Sequence, residues 1–280
     1  MALQTGLELV AHLRSGRKFL ADGAVGSELI RLGVAPDGTV AANVSHPEQV
    51  RSLHRAAIAA GAELITTNTF GYTGDRAWAQ AFAAGIGIAQ TEARAASRPI
   101  TVMVSVFPDE LLRGAEEALS PILASMQEVL LIETAVDIRE AVAAVALARR
   151  QGVRIVAATC HFEPGGAMPD GTTSEQAAVA LQGAGASIVG ANCGAEPEDM
   201  WIVAQRMRSV TDLPLIFQPN AGLPQREGDR WIYPVSPARF AANADRLFDA
   251  GAAIVGGCCG TTPAHIAAVG SRLFHPQRRE

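Results

Sequence analysis

One pattern recurs along the chain. A short run of apolar, often β-branched residues is followed by a small polar or glycine-rich turn. An alanine-rich stretch comes next, with apolar positions three and four apart. The apolar runs fall at 19–24, 63–69, 100–106, 129–134, 154–159, 187–193, 214–220 and 252–259. Most are continuous rather than alternating, as expected of parallel strands buried on both faces. Between them, Val50, Leu53 and Ala57 mark a helical stripe over 46–60. Ile138, Val142 and Val145 mark a second, and Phe240, Ala244, Leu247 and Phe248 a third. Arg149 and Arg150 close the second stripe, where cations suit the end of a helix dipole. Gly61, Gly152, Gly185 and Gly251 each separate a helical stretch from the next apolar run, where a C-cap is expected.

Eight β-α units in a chain of 280 residues predict a (β/α)8 barrel, with a doubly wound open sheet as the alternative. No linker or composition break interrupts the pattern. The whole chain, 1–280, is therefore expected to form one domain, with the barrel core over about 18–274. The third unit fits the pattern least well, with about 22 residues between Val106 and Val129 and Phe107-Pro108-Asp109-Glu110 opening its helix. Long loops are expected over 161–174 and 221–236, both on the side where barrel strands end.

Composition narrows the function classes. Apolar residues make up 49% of the chain and aromatics only 5%, so the core is built from Ala, Val, Ile and Leu. A net charge of −5 argues against a nucleic-acid surface, which needs clustered Lys and Arg. Arg149-Arg150 and Arg278-Arg279 are the notable basic pairs, read as a solvated face and tail. No apolar run approaches the roughly 18 residues of a membrane span. The opening residues lack a signal-peptide pattern, and four cysteines do not make a disulfide scaffold. The expected setting is the cytoplasm, where thiols stay reduced.

In a barrel the strand C-termini converge on one mouth. Here the runs end in Asp22-Gly23, Asn68-Thr69, Glu133-Thr134, Thr159-Cys160-His161, Asn192-Cys193, Pro219-Asn220 and Cys258-Cys259. Polar groups and thiols thus gather at one end of apolar strands. Cys193, Cys258 and Cys259 form a candidate metal set. Two strands separated by one other lie roughly 10 Å apart, so thiols leaning inward can share an ion at about 2.3 Å per Zn–S bond. Three thiolates leave a fourth tetrahedral position for a substrate. The plainer alternative is that these cysteines are small buried hydrophobes. Asp22 and Glu133 are candidates for holding a cationic group, with a capping or rim role as the alternative. His161 reads as a base, a ligand or an exposed loop residue. Cys160, of opposite parity to Thr159, is expected to face the helices. No dinucleotide fingerprint, phosphate loop or serine nucleophile elbow is present.

These residues also carry a resemblance. Asp22-Gly23-Ala24-Val25-Gly26-Ser27, Thr67-Asn68-Thr69-Phe70, Glu133-Thr134 with Asp137, Pro169-Asp170-Gly171-Thr172, Asn192-Cys193, Pro219-Asn220-Ala221-Gly222 and Gly256-Gly257-Cys258-Cys259-Gly260-Thr261-Thr262-Pro263 with His265-Ile266 lie in the order of the homocysteine S-methyltransferase family. The chain resembles that family over about 20–270. The resemblance implies a barrel in which Cys193, Cys258 and Cys259 hold Zn2+. It also implies that zinc binds the thiolate of homocysteine, which then takes up a methyl group. Asp22 and Glu133 fall where the family binds the amino-acid end. Gly23, Asn68, Asn192 and Asn220 are carried over as further substrate-binding positions. The donor implied is a methyl sulfonium compound or a methylated corrinoid; the segment 220–224 is closest to the methionine synthase version. The chain lacks folate and cobalamin domains, so a corrinoid would arrive on a separate protein. One departure stands out. After the third strand, Ser105-Val106-Phe107-Pro108-Asp109-Glu110 replaces a longer Gly-Pro-Tyr-Gly-like segment of the family. This leaves two alternatives to homocysteine methylation: transfer or demethylation with another donor or acceptor, and a regulatory barrel that binds thiol or zinc without transfer.

Overall fold

The computed structural model describes residues 5–71, 76–113, 126, 128–194, 197–228 and 230–274. The Arg278-Arg279 pair and part of the shortened third unit lie outside them.

All eight expected strands form: β1 (Phe19–Leu20), β2 (Leu64–Thr66), β3 (Thr101–Val106), β4 (Val129–Ala135), β5 (Val156–Cys160), β6 (Ile188–Asn192), β7 (Leu215–Gln218) and, after a small hairpin, β10 (Ala252–Val255). The sheet order is β1-β10-β7-β6-β5-β4-β3-β2, with every pair parallel. A parallel bridge from Ala21 to Leu64 closes the ring between its first two strands. Helices alternate with the strands, which makes this a (β/α)8 barrel. The hairpin, β8 (Gln225–Glu227) and β9 (Arg230–Ile232), lies within the loop expected over 221–236. Among the described residues no helix is long and apolar enough to cross a membrane.

Strand parity explains the continuous apolar runs. Leu20, Ile65, Val104, Ile132, Val156, Val189, Phe217 and Val255 point outward into one core shared with the helices. Phe19, Leu64, Met103, Leu131, Ala157, Ile188, Ile216 and Ile254 point inward and fill the barrel. Leu9, Val10 and Leu13 of α1 (Gly6–Arg14) belong to the inner cluster, so this helix plugs the barrel floor. The plug carries a legible signal, a Thr5–Glu8 capping box ahead of its apolar stripe. With the interior filled and the floor closed, chemistry is confined to the opposite rim. Cys160 lies in the outer core, as its parity implied.

The four glycines expected to end helices all take positive φ. Gly190, in mid-strand β6, serves a different need. A Cβ there would stand 1.7 Å from the Ile216 carbonyl oxygen of the adjacent strand. Gly190→Ala is therefore expected to lower stability by at least about 4 kcal/mol, because backbone rather than a flexible side chain must yield. Chemical denaturation checks this; an unchanged midpoint would contradict the close approach.

Candidate active site

The three candidate ligands come from two strand ends. Cys193 follows β6, and Cys258-Cys259 follow β10. Their sulfur atoms all lie within 4.8 Å of one another, and the Cys258–Cys259 separation is 4.0 Å. Backbone bonds fix both segments. The Cys193 N–H donates to the Gln218 carbonyl at 3.1 Å, and the Cys258 N–H to that of Pro219 at 2.8 Å. Glycines let the Cys-Cys run approach its neighbours. A Cβ at Gly256 would meet the Asp22 carbonyl oxygen at 2.8 Å, and one at Gly257 would meet Thr261 Oγ1 at 2.4 Å. Gly260 lies under the ring of Tyr233, leaving no room for a side chain.

Electrostatically the trio behaves as one group. Hydrogen bonds from Cys258 and Cys259, with His161 and Asn220 adding theirs, hold the Cys193 thiol well below the usual range. The hydrogen bond to Cys193 raises Cys259 to about 12 and raises Cys258 as well. His161 is half-buried rather than free in solvent; its bond to Cys193 raises its pKa.

On the other side of the cavity stands Glu133. Its carboxylate accepts from Ser105 Oγ and, at 2.9 Å, from Asn192 Nδ2. Burial raises its pKa to about 7. Asp22 lies just behind the wall, 1% exposed. It accepts from the Thr66 N–H at 2.7 Å and from Thr66 Oγ1 at 2.9 Å. Burial, with Glu133 nearby, raises it to about 7 as well. With no cation beside them, buried Asp22 and half-buried Glu133 are both shifted toward the neutral form. A ligand bringing an ammonium group would reverse that.

The cavity between sulfurs and carboxyl is about 330 Å³. Glu133, Cys193, Cys258 and Cys259 line it, together with Gly23, Thr66, Phe70 and Tyr233. None of its described lining residues is Lys, Arg or His. The expected substrate positions divide. Gly23 faces the cavity. Asn220 donates to Cys193 Sγ at 3.6 Å, while its buried Oδ1 has no partner. Asn68 lines the cavity, but its amide nitrogen donates to the Thr39 carbonyl and to Asn43 Oδ1. Asn192 is 0% exposed, and its amide is wholly engaged by protein groups. The Asn192 amide thus shapes the wall from behind, while Asn68 keeps a place in the cavity lining.

Several contributors were not singled out by sequence. Ser105 shows there only as the first residue of the segment that departs from the family pattern, with no role of its own. Tyr233 reaches the site because the hairpin folds back over Gly260. Trp231, on the same hairpin, is 63% exposed.

Comparison with known proteins bears on what this cavity does. A family model described as homocysteine S-methyltransferase matches residues 19–273. Methionine synthase of Mycobacterium tuberculosis (strain ATCC 25618 / H37Rv) is 30% identical over 95% of this chain, a match covering 25% of that protein. Betaine–homocysteine S-methyltransferase 1 of Bos taurus is 29% identical over 96% of this chain and 75% of that protein. The chain thus spans only a quarter of the length of the methionine synthase it matches. The metallated form of the homocysteine methyltransferase MmuM from Escherichia coli shares the fold. Its TM-score is 0.75 at 23% identity, over 94% of this chain and 98% of that one.

Proposed function

The chain belongs to the homocysteine S-methyltransferase family, and from that membership we propose that it transfers a methyl group to the thiol of homocysteine at a zinc centre. The observation that carries this reading is one cavity lined both by three clustered thiols and by the half-buried carboxyl of Glu133. An amino acid with a thiol side chain fits that division of labour.

The donor set suits zinc. Three sulfur ligands on two strand ends with β7 between them, and the cavity adjoining them, match a site that keeps one position open. Bound there, zinc supplies thiolate character to an incoming thiol at neutral pH without a protein base. The chain's own residues do the rest. Glu133, held by Ser105 and Asn192, accepts the α-ammonium group. Asp22 adds negative charge behind it and fixes Thr66 in the wall. The packed barrel floor keeps water out from below. The thiol is thereby oriented toward the open rim, and orientation of this kind contributes several kcal/mol.

The donor approaches from that rim, bounded by Ile30, Phe70 and Tyr233. Phe107, from the shortened third unit, packs edge-on against Phe70 with ring centroids 5.7 Å apart. The departure from the family pattern thus sits on the donor side. A small methyl sulfonium and a methylated corrinoid on a separate protein are the two donor classes in view. The test supplies reduced, zinc-loaded protein with homocysteine and isotopically labelled methyl as either S-methylmethionine or methylcobalamin. Labelled methionine from one of them is expected. Transfer from a donor to some other thiol, with none to homocysteine, would contradict the acceptor assignment.

A further inference from the structure

Strand β4 breaks its register at Glu133. Ile132 pairs with Ala158 and Ala135 with Cys160, so an extra residue is accommodated between them. Both Ile132 and Ala135 face the outer core. The two residues between them, Glu133 and Thr134, both line the cavity. Such a bulge re-aims a side chain. Its geometry is unfavourable in isolation. Thr134 has φ +62°, a left-handed conformation seldom adopted by a β-branched residue. It persists only where surroundings over-determine it.

One side chain does that here. Asn192 Oδ1 accepts from the Thr134 N–H at 2.8 Å and from Thr159 Oγ1 at 2.7 Å. Its Nδ2 donates to Thr134 Oγ1 at 2.8 Å and to Glu133 Oε2 at 2.9 Å, and lies 3.9 Å from Cys258 Sγ. The next residue is Cys193, also left-handed at φ +58°. A single buried amide therefore ties the strained turn and the carboxylate to the strand end that carries a sulfur ligand, whose own backbone is held separately by the Gln218 carbonyl. We infer that Asn192 is a positioning residue which fixes Glu133 relative to the thiol cluster, so that the amino-acid end and the sulfur of the substrate are recognised at one set distance. The inference rests on the reading of homocysteine as acceptor.

The consequence is selective. Asn192→Ala leaves all three cysteines in place, so zinc content stays at the wild-type value. Affinity for homocysteine falls about 10- to 100-fold, the usual effect of removing a group that orients a binding residue. Affinity for propanethiol, which has no amino-acid end, is unchanged. In a Glu133→Gln background the same substitution causes little further loss, because the group it positions is already neutral. Thr134→Gly removes one of the amide's acceptors while tolerating positive φ. It is expected to show the same selectivity, more weakly, and serves if Asn192→Ala does not fold. Calorimetry on zinc-loaded proteins reads all of these, wild type first. Wild type that binds propanethiol but not homocysteine would remove the acceptor assignment, and the inference with it. Wild type that binds homocysteine, with variants that keep full affinity or lose both thiols equally, would overturn the positioning role alone.

Discussion

Cys258→Ala or Cys259→Ala abolishes stable zinc binding and lowers methyl transfer at least about 10³-fold, while the barrel remains folded. The size follows from losing a metal-held nucleophile, worth several kcal/mol, at about 1.36 kcal/mol per decade. Survival of the fold follows from where the sulfurs sit. Cys193, Cys258 and Cys259 belong to neither of the two large core clusters. The inner cluster is sealed by α1 at the opposite end of the barrel. Measured against chelator-stripped wild type, so that the stabilisation by bound metal is set aside, the loss in stability is expected to stay within about 1 kcal/mol, the typical cost of a single substitution. Elemental analysis, transfer assay and a denaturation curve on one preparation check the three parts. A variant that unfolds on losing metal would recast the centre as structural.

Glu133→Gln is expected to weaken homocysteine binding about 100-fold and leave propanethiol binding as it is. On the proposed reading the substrate ammonium meets the half-buried Glu133 carboxylate, and truncating one partner of such a pair costs about 2–5 kcal/mol. The glutamine keeps the volume and an acceptor for Ser105, so the wall should hold its shape. The defect then appears in the binding constant for the amino acid and not in zinc content. Equal loss for both thiols, or none for either, would count against the ammonium role.

The barrel was legible because its strands are buried on both faces and its helices end at glycines, features written in residue type alone. The sulfur trio was legible for a similar reason: two adjacent cysteines flanked by glycines make an unusual strand end. What sequence did not show was direction. Asn192 occupies the expected strand end, yet its whole amide is engaged by protein groups. An asparagine satisfies backbone groups as readily as it satisfies a ligand. The bulge at Glu133-Thr134 depends on a partner 58 residues away, so no local pattern announces it. Tyr233 enters the cavity through a hairpin whose fold over Gly260 is a tertiary contact. His161, with an exposed loop position among its sequence readings, is drawn in by Cys193 for the same reason.

The central claim is that the three cysteines hold a zinc ion to which a substrate thiol adds as thiolate. Its most direct test is calorimetry of homocysteine binding to zinc-loaded and chelator-stripped protein, with zinc counted in each. Near pH 8, above the range where Asp22 and Glu133 titrate, the proton released reports the thiol. The account requires one zinc per chain in the loaded form, with homocysteine binding and proton release that disappear on stripping. Protein purified reduced and without chelator that contains no zinc, or homocysteine binding indifferent to stripping, would contradict it.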